Sequence, residues 1–222
     1  MVVGQSLMGT PTNATVTVTV DDVALEGELI VPDGATGLVL FAHGSGSSRH
    51  SPRNNFVAER LRTRGVGTLL FDLLTETEDQ TYDTRFDIGL LTDRLVGATH
   101  WVRDREDTAD LQLGYFGSST GSAAALRAAA RPETDVEAVV SRGGRVDLAE
   151  PVLDDVTAAT LFIVGGNDHP VLEWNEEAFD LLAGEKSLEI VDGASHLFEE
   201  PGALETVADH AGEWFAEKLS QQ

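Results

Sequence analysis

The sequence predicts an α/β protein whose core is a doubly wound, mostly parallel sheet with an antiparallel hairpin at its N-terminal end. Three observations lead there. Four short runs are apolar at consecutive positions, as buried parallel strands covered on both faces require. Between them lie stretches with apolar residues three and four apart, the spacing of one helix face. Ahead of both stands a segment of strict period-two alternation.

That first segment, ATVTVTVDDVALEGELIVP, alternates on both sides of Asp21 and Asp22 and reads as a β-hairpin. GLVLFAHG (37–44) is the first fully apolar strand. SPRNNFVAERLRTRG follows as a helix, with Pro52 near its start and Gly65 where it stops. VGTLLFDL (66–73) is the next strand and RFDIGLLTDRLVGATHWVRDRE the next helix. LQLGYFG (111–117) leads into SAAALRAAARP, and VEAVVSRGG (136–144) is a weaker strand. TLFIVGGND (160–168) precedes the helix VLEWNEEAFDLLAG, which stops at Gly184. KSLEIVDG (186–193) is the last strand and GALETVADHAGEWFAEKL the closing helix. So regular an alternation implies right-handed crossovers. Residues 1–13 are expected to be a disordered terminus. No repeat or low-complexity linker divides the chain, so 1–222 is expected to be one domain.

Composition excludes several functions. The 222 residues carry 38 Asp and Glu against 15 Lys and Arg, a net charge of -23. Such a surface repels nucleic acid and anionic membrane, because phosphate binding needs clustered cations. The acids are spread between apolar runs rather than gathered in a tail, as in the acidic shell of proteins from high-salt cytoplasm. With no cysteine, disulfides, thiolate metal sites and a thiol nucleophile are excluded. No signal peptide or long apolar run is visible, and a cytoplasmic monomer or homodimer is expected.

In a sheet of this kind ligands meet the loops at the carboxyl ends of the strands. Those loops here are HGSGSS, DLLTE, GSSTG, SRGG, GGNDH and DGASH. GSSTG is an instance of GxSxG between a strand and a small-residue helix. Its glycines permit a turn sharp enough to push Ser119 outward, with Ser118 as filler behind it. A serine nucleophile needs a base and an orienting acid, which arrive in this architecture in the chain order Ser, Asp, His. Asp168 and His196 each follow a strand in that order. Asp147 and Asp192 are alternative acids, His169 is a competing base, and Asp168 has a bland reading as a helix N-cap.

From about Gly37 onward the chain resembles the α/β-hydrolases, in particular the small dienelactone hydrolase-like branch. The segments that carry the likeness are FAHGSGSSRHSPRNN, GYFGSSTGSAAAL, SRGGRVDLA, FIVGGNDHPV and GASHLFEEPGALE. The resemblance implies an α/β-hydrolase fold with Ser119 as nucleophile, Asp168 as acid and His196 as base. RHSPRNN and SRGGRVDLA also resemble hydrolase regions that sometimes sit beside a phosphoribosyltransferase domain, and no such domain is expected here. Dienelactone hydrolases proper use a cysteine nucleophile, which this chain lacks. Lactone specificity is therefore not carried over, and ester, thioester or related acyl hydrolysis through an acyl-enzyme is expected. A non-catalytic binding module and an acyltransferase are the alternatives.

The oxyanion of such a reaction needs two backbone donors. Thr120, after the nucleophile, is one, and Ser45 in the glycine-rich HGSGSS loop is the other. His43 reads as a loop-positioning residue, His50 as part of a loop, and His100 and His210 as satisfied helix residues. Only RVDLAEPVLDDVTAA separates SRGG from TLFIVGG, which leaves no room for a lid. Leu73, Leu74, Trp174, Leu197 and Phe198 are then expected to exclude water from a small-molecule acyl substrate in an open site. Arg49, Arg53, Arg85, Arg142 and Arg145 fall at the same edge. Arg49, Arg53 and Arg142 are candidates for an anionic substrate group, against the simpler reading that they pair with the many acids. No metal or cofactor is expected: HExxH, EF-hand, P-loop and dinucleotide patterns are all absent.

Overall fold

A computed structural model describes residues 12–220. The hairpin is β1 (Thr12–Val20) and β2 (Val23–Val31), paired antiparallel with Val16 opposite Gly27. Thr12 and Asn13, expected in a disordered terminus, belong to β1 and pair with Val31 and Ile30. The rest of that segment, 1–11, lies outside the described residues. There follow β3 (Gly37–Ala42), α1 (Pro52–Thr63), β4 (Val66–Phe71), α2 (Glu76–Asp79), α3 (Tyr82–Arg85) and α4 (Ile88–Arg103). The second half holds β5 (Gln112–Ser118), α5 (Thr120–Ala129), β6 (Val136–Arg142), β7 (Ala159–Gly165), α6 (His169–Leu181), β8 (Lys186–Val191) and α7 (Ala203–Lys218).

The eight strands form one sheet in the order β1-β2-β4-β3-β5-β6-β7-β8. β2 pairs antiparallel with β4, and from β4 to β8 every pairing is parallel. The order reverses at β3, so the carboxyl ends of β3 and β5 flank the crevice where ligands of such sheets bind.

Side chains alternate between two cores. Leu38 and Leu40 of β3, Tyr115 of β5 and Phe162 of β7 face α4, α5 and α6. Val39, Phe41, Phe116, Val140 and Ile163 face α1 and α7. The rule that a parallel strand buried on both faces reads as continuously apolar holds for these runs. α7 closes down on the sheet where the sheet has no side chain: a Cβ at Gly114 would stand 2.7 Å from Phe215 Cε1.

Two local differences from the sequence reading have physical reasons. The long helix begins at Ile88 rather than Arg85, because the Asp87 side chain accepts the Leu90 N–H at 3.0 Å and caps it there. Just upstream, Thr75 and Glu78 form a capping box that winds α2, a turn the charge-rich TETEDQ did not suggest. The segment between β6 and β7 winds as 3₁₀ turns over Val146–Asp155 and packs Val146, Ala149 and Leu153 into the core, forming body rather than lid.

His43 pins the loop after β3, as the sequence reading expected. Leu73 N–H donates to its Nε2 at 3.0 Å, which leaves the ring proton on Nδ1 to donate to Gly44 O at 3.0 Å. Burial pushes its pKa below the ordinary value of 6.5.

Two predictions follow from this packing. Phe215→Ala should cost about 3–5 kcal/mol in urea unfolding, as large core truncations do. Adding Gly114→Ala to that variant should recover stability by filling the vacated space, whereas Gly114→Ala alone should destabilise. His43 binds a proton less readily folded than unfolded, so its contribution is full above pH 6.5 and fades as pH falls below it. The stability gap between wild type and His43→Gln should therefore narrow from pH 7.5 to 5, by at most about 1.4 kcal/mol per pH unit. A gap independent of pH would refute that role.

Candidate active site

Ser119 stands between β5 and α5 with φ 52° and ψ -121°, in a region that non-glycine residues rarely occupy. Such a backbone costs about 1–3 kcal/mol and persists only where its surroundings impose it. Here they do. Ser119 N–H donates to Arg142 O at 3.2 Å, while its carbonyl accepts from Ser122 N at 3.1 Å and Arg145 N at 3.0 Å. The flanking glycines are needed for space: a Cβ at Gly117 would stand 2.5 Å from Ser122 Cα, and one at Gly121 only 2.0 Å from Ala42 O. Ser118 is buried behind the turn and Ser119 is half-buried, facing the edge.

Asp168 and His196 meet on two further turns. His196 Nδ1 lies 2.6 Å from Asp168 Oδ2. The N-cap reading of Asp168 is half right: it occupies the cap position of α6, but its side chain makes no cap bond and goes to the imidazole. A carboxylate on Nδ1 fixes the proton there and leaves Nε2 as the open acceptor. The competitors are placed elsewhere. Asp147 is held by both nitrogens of an Arg145 fork at 2.9 Å, Asp192 is exposed, and His169 is exposed at the start of α6. His50 and His100 are exposed and His210 half-buried.

Sequence reasoning missed the groups that hold these turns together. Asn167 donates from its backbone to Ala194 O at 3.0 Å and from Nδ2 to Gly193 O at 2.9 Å, which stitches the Asp168 turn to the His196 turn. Glu200 accepts the Ser195 N–H at 3.0 Å and is held below the usual carboxylate range by that bond. Gly143 lies under the imidazole, where a Cβ would touch Nδ1 at 3.4 Å. The run DGASHLFEE contains the glutamate but no local pattern that marks it as the cap of this turn.

Ser119 follows β5 and His196 follows β8 at the same end of the sheet, with the Gly143 turn against the imidazole, and among the described residues no hydrogen bond joins Ser119 Oγ to His196. Catalytic bonds of this kind are often long before substrate binds. The two predicted oxyanion donors are bonded to each other: Ser45 N–H donates to Thr120 Oγ1 at 2.9 Å. Ser45 is thus not a free donor, a correction to the sequence reading. Thr120 N–H, in the first turn of α5, has no acceptor within its helix.

Around this core Leu73, Leu74 and Phe198 are buried, Leu197 is exposed, and Trp174 carries the Arg145 guanidinium 4.7 Å from its ring centroid. A cleft of about 540 Å³ opens beside the β3 and β4 loops, lined by His43, Arg49 and the carboxylates of Glu26, Asp72, Glu76 and Asp79. Ser119 and His196 do not line it. The arginines divide. Arg49 is engaged by Asp72 and Glu26 and is not free for substrate, as the abundance of acids would have it. Arg85 pairs with Asp79, and Arg53 lies loosely, at 3.5 Å, by Glu199. Arg142 is buried with Nε and Nη1 unpartnered.

No protein-family model matches the chain. Two curated Mycobacterium tuberculosis proteins, from strains CDC 1551 and H37Rv and provisionally named phosphoribosyl transferases, are 55% identical over 197 residues, 89% of this chain and 44% of theirs. The chain thus spans less than half the length of these relatives. Among solved structures, a dienelactone hydrolase from Anabaena variabilis superposes with a TM-score of 0.92 at 56% identity, covering 95% of this chain and 99% of that one. Est1E from Butyrivibrio proteoclasticus (TM-score 0.79, 16% identity, 93% and 99% covered) shares the fold. So does a Xanthomonas campestris α/β serine hydrolase described as lacking a lid (TM-score 0.73, 21% identity, 95% and 96% covered). Sheet order, the turn at Ser119 and more than half of all residues shared with the Anabaena protein agree: this chain belongs to the α/β-hydrolase superfamily, in its dienelactone hydrolase-like branch.

Proposed function

We propose that the protein is a serine hydrolase cleaving a small carboxylic ester or related acyl bond through an acyl-enzyme. The observation that carries this reading is the Asp168 carboxylate 2.6 Å from His196 Nδ1, at the same end of the sheet as the strained Ser119. In the proposed cycle His196 Nε2 takes the Ser119 hydroxyl proton as Oγ bonds to the substrate carbonyl carbon. The carbon–oxygen bond to the alcohol then breaks and His196 returns that proton to the departing alcohol. Water, deprotonated by the same nitrogen, releases the acid and restores Ser119. Asp168 orients the imidazole and stabilises its cationic form.

Thr120 N–H is the free donor for the oxyanion. Thr120 Oγ1 accepts from Ser45, so its own proton is free to point at the same oxygen, with Ser45 acting as its orienting group. No metal or cofactor enters the cycle. We assign the name carried by the Mycobacterium tuberculosis relatives to the portion of those proteins that this chain does not cover.

A ligand-binding module without activity is the second reading, favoured by the missing bond between Ser119 and His196. A fluorophosphonate probe decides between them. Labelling should map to Ser119 and disappear in Ser119→Ala, which should also lose at least about 10³-fold in turnover of 4-nitrophenyl acetate while keeping its melting midpoint. Unlabelled wild type would overturn the hydrolase reading, and partitioning of product toward added alcohol would redirect it to acyl transfer.

We also propose that the net charge of -23 adapts the protein to a high-salt cytoplasm. The melting midpoint should then rise by about 5–10 °C between 0.1 and 2 M potassium chloride as screening removes self-repulsion. A flat profile would count against it.

A further inference from the structure

Arg142 ends β6, in register with Ser118, and its carbonyl accepts the Ser119 N–H. Its side chain follows the alternation of β6: Ala138 and Val140 face α1 and α7, so Arg142 emerges on that face at the catalytic edge. There the first turn of α1 supplies Arg53 and Asn54. Asn54 Oδ1 is likewise buried without a partner.

The contrast with Arg94 is informative. These are the two buried arginines among the described residues, and Arg94 has its carboxylate, Glu78, at 2.7 Å. Arg142 has none: Nε and Nη1 are buried without a hydrogen-bond acceptor, and the charge it senses most is the cation of Arg53. Burial pushes its pKa down to about 10, the mark of a cation stripped of water and not compensated. The other arginines without a carboxylate, Arg62, Arg103 and Arg127, donate instead to Thr68 Oγ1 or to backbone carbonyls. An unpaired buried cation costs stability, so its natural partner is one that arrives from outside. The charges at this end of the sheet are also divided: Glu76, Asp79 and Asp72 line the cleft beside the β3 and β4 loops, whereas Arg142 has Arg53 as its neighbouring charge, itself only loosely paired with Glu199 at 3.5 Å.

The geometry points to Arg142 as the specificity-determining residue of an anion subsite beside Ser119, which takes the carboxylate or phosphate oxygens of an anionic ester, with Arg53 as its outer wall. The inference rests on the hydrolase reading above. A substrate anion at this rim would draw the guanidinium outward, give its now buried N–H groups the acceptors they lack, and turn the neutral part of the ester toward the nucleophile.

The test uses the full chain and a matched pair of esters, 4-nitrophenyl butyrate and its anionic counterpart 4-nitrophenyl hemisuccinate. Wild type should prefer the anionic ester in kcat/KM. In Arg142→Gln that preference should fall about 10- to 100-fold, carried by KM, as expected for a lost charged hydrogen bond. Arg142→Lys, which keeps charge without the fork, should fall between. Arg142→Met should melt no lower than wild type, because it removes an uncompensated buried charge. Inhibition of butyrate ester hydrolysis by succinate and by inorganic phosphate separates the two anion sources, and both inhibitions should weaken in Arg142→Gln. An unchanged preference, or no preference in wild type, overturns the subsite. A lower melting midpoint in Arg142→Met assigns Arg142 a structural role instead. Loss of the hydrolase reading shows separately, as failure of wild type to turn over the neutral ester.

Discussion

The backbone of Ser119 is the constraint on which the site depends. A residue with φ of 52° is held only because neighbours on every side leave it no alternative. β6 grips its amide through Arg142 O, and the chain just beyond β6 grips its carbonyl through Arg145 N. β3 presses against α5 at Gly121, and the loop after β3 touches the turn at Gly44, whose Cβ would stand 3.2 Å from that of Ser119. Three adjacent strand ends therefore converge on one peptide. The same strand end carries Gly143, which lies under the imidazole of His196, and Arg142, whose carbonyl holds the Ser119 amide.

Asp168 and His196 depend on a second close approach, between the ends of β7 and β8. A Cβ at Gly165 would stand 2.4 Å from Ala194 O, and Gly166 and Asn167 donate across the gap to Val191 O and Ala194 O. The carboxylate and imidazole come from different turns, yet the turns behave as one stitched unit. Phe198, buried and at φ of 54°, adds a second strained residue just after His196, with Glu200 closing that turn from outside. Rigidity of this kind keeps the His196 imidazole in one tautomer and one direction.

Charge is distributed with a similar economy. Most arginines are spent on acids: Arg49 on Asp72, Arg94 on Glu78, Arg105 on Asp107, Arg131 on Asp93 and Arg145 on Asp147. Against that background Arg142 stands apart by having, among the described residues, no acceptor for its side chain at all: Arg62, Arg103 and Arg127 also lack a carboxylate, but they donate to Thr68 Oγ1 or to backbone carbonyls. Composition alone could not separate it from Arg49, because both are arginines on loops or strand ends within reach of the same crevice.

Much of the fold was legible in order along the chain. The apolar runs, the hairpin and the glycine-flanked serine each follow from local chemistry: side-chain period, turn propensity and the bulk a sharp joint tolerates. The chain order of Ser119, Asp168 and His196 was legible too, because strand ends in such a sheet lie on one rim. The cap at Asp87, the engagement of Ser45 by Thr120, the stitching by Asn167 and the solitude of Arg142 were not. Each is a relation between atoms far apart in sequence, such as positions 45 and 120, or an absence of neighbours. Local periodicity determined which residues would stand at the rim. Only the packed strands decided which of them touch, because hydrogen bonds and burial depend on distances of a few ångströms that a linear pattern does not contain.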